Sequence, residues 1–124
     1  DAVEGTPNPC GGQYTNHRSI FFKRTLEAYR QVMVQNGDAG KQIWPTEFGW
    51  GVDPSPKPGY EYEKNISADL QAKWLVQALQ IMKQMGYVGV AFLWNLDFTD
   101  MSNETGAFHV VGRAAQAALA RMPK

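Results

Sequence analysis

Residues 86–98, GYVGVAFLWNLDF, constrain the fold of this chain more than any other stretch. The apolar run from Tyr87 to Leu93 lacks polar alternation, the pattern of a parallel strand covered on both faces; a strand with one wet face alternates. Just before it, residues 67–86 (SADLQAKWLVQALQIMKQMG) set Leu70, Trp74, Leu75, Ala78, Leu79, Met82 and Met85 on one helical stripe. Ser67 is the expected N-cap, Asp69 suits the first turn, and Gly86 supplies the left-handed residue that ends many helices. Upstream again, residues 41–50 (KQIWPTEFGW) carry the β-favouring Ile43 and Trp44 in a short run that breaks at Glu47 into a loop of Gly and aromatic residues. Strand, helix, strand predicts two parallel neighbours joined by a right-handed crossover, with the helix on the outer face.

An earlier helix is expected from about Ser19 to Asn36, with Phe22, Leu26, Tyr29, Val32 and Met33 on one side and Asn36-Gly37 closing it. Residues 4–17 hold two Pro and three Gly and read as a loop; residues 1–3 read as the stub of a strand. A last, Ala-rich helix is expected near Arg113–Met122, after a turn at Glu104–Gly106. This alternation predicts an α/β fold, with helices packed outside a parallel sheet.

The chemistry concentrates at Glu47. A carboxylate at the end of a strand, followed by Phe48, Gly49 and Trp50, is an acidic group on a rigid element beside flat apolar surfaces. Sugars suit such a pairing, because a pyranose offers C–H faces to aromatic rings and hydroxyls to carboxylates and amides. A solvated Glu or a hydrogen-bond anchor has the same sequence appearance. The long loop 49–64 adds Tyr60 and Tyr62, as platforms for a sugar or as pins for a Pro-rich loop, with Trp50 the stronger candidate platform. Asn95 and Asp97 follow Trp94 and are candidates to bind hydroxyls or to orient Glu47, whereas Trp74 falls on a helix stripe and reads as core.

These residues resemble the clan of (β/α)8-barrel glycoside hydrolases that retain anomeric configuration, which includes cellulases, mannanases and β-xylosidases. The likeness rests on TEFGW (residues 46–50) and on the Trp-ended apolar strand one helix later. It implies that residues 1–124 are a single segment: the C-terminal portion of a TIM barrel from about the end of strand six to helix eight, with parallel strands and outer helices. It also implies that Glu47 is the nucleophile and that Trp94 lines the sugar subsite. The acid/base Glu of that family, preceded by Asn at the end of strand four, has no counterpart; Asn103-Glu104 lies after strand eight and does not inherit the role. The family's His-Tyr near the end of strand six is also not matched, since His17 and Tyr14 do not form that pattern.

The expected function is therefore the C-terminal part of a retaining glycoside hydrolase acting on β-linked glycans. The alternative is a catalytically incomplete barrel remnant that binds carbohydrate or mediates assembly. Two or three parallel strands leave bare edges, so a partner is expected there, either the missing barrel half or a second copy through the exposed strand edges. Twelve basic and twelve acidic residues balance to zero, which gives no reason to expect nucleic acid as a partner. The longest apolar run is too short to span a bilayer. With one cysteine, Cys10, and two histidines, no zinc spacing occurs, His109 reads as a surface residue, and neither a metal nor an organic cofactor is implied.

Overall fold

A computed structural model describes residues 22–98 and 104–123. Its helices are α1 (Phe22–Gln35), α2 (Ala68–Met85), the single turn α3 (Glu104–Ala107) and α4 (Ala114–Ala120), with a short 3₁₀ helix at Glu61–Asn65 ahead of α2. The expected strand stub at residues 1–3, the loop 4–17 and the first three residues of the first expected helix lie outside the described residues.

Helix α2 is the hub. Ser67 caps it, its side chain accepting from the Leu70 amide at 3.1 Å, and Gly86 ends it at φ 67°. The apolar stripe goes where its periodicity directs it. Leu75, Ala78, Met82 and Trp74 are buried, together with Ala115 of α4, Val110, Ile66 and Phe48. Helix α4 lies along α2, whereas α1 touches it lightly. The stripe of α1 is accordingly little covered: Leu26 is buried, but Tyr29 is 63% and Val32 56% exposed. Arg30 fastens the end of α1 instead, donating to the carbonyls of Lys41 and Ala39 at 3.0 and 2.6 Å, with its guanidinium 5.1 Å from the centre of the Tyr87 ring.

The expected α/β class is overturned. About half of the described residues are helical, and strand pairing is confined to two isolated parallel bridges, Ile43 with Val88 and Phe48 with Leu93. No sheet, and no portion of a barrel with parallel strands, is present among the described residues. The physical cause sits at Pro45. After Ile43 donates to the Tyr87 carbonyl and accepts from Gly89, a regular parallel ladder next needs a donor at residue 45, which proline lacks. The Pro45 carbonyl accepts instead from Phe92, one residue out of step, and pairing resumes only at Phe48. Residues 43–48 and 87–94 are thus two extended segments pinned at both ends and irregular between.

Candidate functional site

Phe48 fixes the site. Its ring is buried against the core, its amide donates to the Phe92 carbonyl at 3.1 Å, and its carbonyl accepts from the Trp94 amide at 2.8 Å. Glu47, one residue earlier, is exposed, and Trp94, one residue beyond the Leu93 that pairs with Phe48, lies against Gly49. Gly49 permits this approach, because a Cβ at position 49 would run into the Trp94 carbonyl oxygen. The result is an open hollow of about 310 Å³ lined by Glu47, Gly49, Tyr60, Trp94, Thr105 and Phe108 as well as Phe48. The Trp94 ring is half-buried and meets Phe98 edge-on, with centroids 5.6 Å apart, and the Trp94–Asn95 peptide is cis.

Buried polar groups hold the walls. Gln71, on α2 and fully buried, donates to the Trp50 carbonyl at 2.8 Å and lies 3.4 and 3.5 Å from the carbonyls of Phe108 and His109, joining the loop after Glu47 to the Phe108 wall. Asn95, also buried, donates its side-chain amide to the Thr105 carbonyl at 2.6 Å and its backbone amide to the Phe108 carbonyl at 3.4 Å. Arg113 donates to the carbonyls of Ala107 and Val52. Burial draws its guanidinium below its ordinary range, and the negative charges of Asp53 and Glu63 work against that shift. His109, expected at the surface, is half-buried with Nδ1 on the Gly106 carbonyl.

Of the residues singled out from sequence, Glu47, Trp94 and Tyr60 meet in one hollow. Trp50 goes to the core side: Phe22 meets it edge-on at 6.1 Å, and Trp74 lies 5.7 Å away at 55°. Asn95 lies beneath the site, holding Thr105 and Phe108 rather than lining the hollow, and Asp97 is exposed beyond it. Phe108, Thr105, Gly49 and Gln71 escaped the sequence reading. A Gly directly after Glu-Phe is a sequence cue for close backbone approach, whereas nothing local marks Phe108 or Gln71 as neighbours of residue 47. Among the described residues no group of three or more His, Cys, Asp or Glu is placed to hold a metal ion, and no helix is long and apolar enough to cross a membrane.

Chemically, the hollow offers one exposed carboxylate beside the aromatic residues Tyr60, Trp94 and Phe108, a set suited to an uncharged polar ligand with apolar faces. Comparison with protein families, curated proteins and solved structures finds no match to this chain.

Proposed function

We propose that the hollow beside Glu47 is a carbohydrate site, and that Glu47 is the nucleophile of a retaining glycoside hydrolase acting on β-linked glycans. The observation that carries this reading is the meeting of Glu47, Tyr60 and Trp94 around a single opening. In the first step a Glu47 carboxylate oxygen attacks the anomeric carbon, the glycosidic C–O bond breaks, and the leaving oxygen takes a proton from a general acid. Water then cleaves the glycosyl ester, with the same acid/base removing its proton. The Trp94 ring carries the sugar face and Tyr60 closes one flank.

The acid/base carboxyl of such a mechanism stands roughly 5–5.5 Å from the nucleophile. Glu47 is the sole carboxylate among the described residues lining the hollow. That favours a second reading, a carbohydrate-binding surface without turnover.

One experiment separates the two. A panel of 2-deoxy-2-fluoro β-glycosides with a dinitrophenolate leaving group needs no general acid for the first step. Incubation followed by intact-mass measurement is expected to add one glycosyl unit to the 13.9 kDa chain, on the peptide containing Glu47. Glu47→Gln abolishes the adduct. Binding of the parent sugars without any adduct supports the non-catalytic reading, and neither binding nor adduct removes both.

A further inference from the structure

A second hollow lies on the other side of residues 43–50, between them and α1. It is larger, about 420 Å³, and its α1 wall is formed by Phe22, Leu26 and Tyr29. Its opposite wall is the extended segment from Ile43 to Trp50. Ile43 and Phe48 direct their amides and carbonyls toward residues 87–94, as Pro45 does its carbonyl, and among the described residues the amides of Trp44, Thr46 and Glu47 donate no hydrogen bond. One wall is thus a helix face on which Tyr29 is exposed, and the other is an extended segment with amides that are not paired among the described residues.

We propose that this groove seats an extended polypeptide segment, which adds as a strand to the edge at Trp44–Glu47 and covers the exposed stripe of α1. The occupant follows from the two walls taken together. A helix or an apolar small molecule could cover Phe22, Leu26 and Tyr29 but would leave the row of peptide groups unpaired; an extended backbone answers both, with N–H and C=O toward the edge and alternate side chains toward α1. The side chains of the segment that face α1 are apolar, because the helix presents Phe22, Leu26 and Tyr29 there, with Thr25 the one aliphatic hydroxyl among them. Such a segment also braces Trp44, whose ring is 57% exposed and lies over Gly89.

The test uses the alternating peptide acetyl-Thr-Val-Thr-Val-Thr-Val-Thr-amide as the probe, with amide hydrogen exchange read at Trp44 and Thr46. Saturating peptide is expected to slow exchange at both amides by at least about tenfold, as pairing of an exposed edge does. The same peptide N-methylated at every residue is expected to give no slowing. Equal protection by both peptides would mean a merely apolar slot and overturn the proposal, as would no protection by either. Amides already protected in a concentration-dependent dimer would assign the groove to a second copy and overturn the separate segment. The readout is exchange at Trp44 and Thr46 and not turnover at Glu47, so the outcome is independent of the hydrolase reading.

Discussion

Gly49→Ala tests the geometry on which the site depends. The Trp94 carbonyl oxygen occupies the space a Cβ would need, and the Trp94 carbonyl carbon and Phe108 Cδ1 stand 3.3 and 3.4 Å from that point. Admitting the methyl group forces the two extended segments apart by roughly an ångström, which carries adjacent N–H···O bonds beyond their ~3.2 Å limit. Two such bonds flank the position, Trp94 to Phe48 at 2.8 Å and Phe48 to Phe92 at 3.1 Å. Each contributes about 1 kcal/mol net, overpacking adds about 1–3 kcal/mol, and the reduced freedom of the unfolded chain returns about 0.4–1 kcal/mol. The variant is therefore expected to lose about 2–4 kcal/mol. With a urea m-value of about 2 kcal/mol/M for a chain of this size, the unfolding midpoint falls by roughly 1–2 M. The matched control is Gly40→Ala, where a Cβ meets nothing within 4 Å, and that variant should be neutral or slightly stabilised. Equal midpoints for the two variants would refute the close approach of Gly49 and Trp94, and with it the shape of the hollow.

Four further outcomes are expected. Leu75→Ala, at a residue 1% exposed in the centre of the core, should cost about 3–5 kcal/mol in urea unfolding. Ser67→Ala removes the cap of α2 and should cost about 1 kcal/mol in the same assay, with a loss of helical circular dichroism on heating. Glu47→Gln, at an exposed position, should change stability by no more than about 0.5 kcal/mol while abolishing the glycosyl adduct. The fourth concerns pH: hydrogen bonds from the Gly59 amide hold the Glu61 carboxyl below the usual carboxylate range. The carboxylate is thus favoured in the folded loop, so its contribution is complete above the ordinary carboxylate pKa and is lost as pH falls through the lowered value. The Gly59 amide, followed by NMR, should shift across that acidic window, and Glu61→Gln should erase the step.

Helix α2 was legible from end to end because everything that defines it is local. The 3.6-residue period, the Ser67 cap and Gly86 all lie within twenty residues, and the core forms on the stripe they mark. The same reasoning placed α1, yet its stripe is exposed, since periodicity states which face is apolar and not whether anything lies against it. The error in fold class was the inference of a sheet from two apolar runs. Continuous apolar character in residues 87–93 does not certify covered faces, for Val90 and Phe92 are 43% and 50% exposed. Proline at position 45 was the local warning, a missing donor in the middle of a supposed ladder.

The site was legible in part for a related reason. Glu47 and Trp94 are each marked by where an apolar run ends, and two parallel segments pinned by Phe48 and Leu93 bring those ends to one hollow. The resulting juxtaposition depends on one register, so a slip of a single residue would turn Glu47 toward the core and bring Phe48 out. The bonds of Ile43 and Phe48 hold that register, and a residue outside both segments braces what surrounds it. Gln71, a polar residue on the buried side of α2, reaches the carbonyls of Trp50, Phe108 and His109, and so fixes the chain just after Glu47 relative to the far wall of the hollow. A buried amide at that position breaks the apolar pattern of α2 for the sake of backbone groups 21 to 38 residues away, which is a cost the helix itself gives no reason to bear. Replacing it with Leu preserves the bulk and removes the donors, so α2 should keep its helicity while the walls lose their common anchor. Trp94 exposure to a soluble quencher in Gln71→Leu, measured against Glu47→Gln, is expected to rise in the former alone. An unchanged quenching constant would mean that the two bridges hold the register without help from α2.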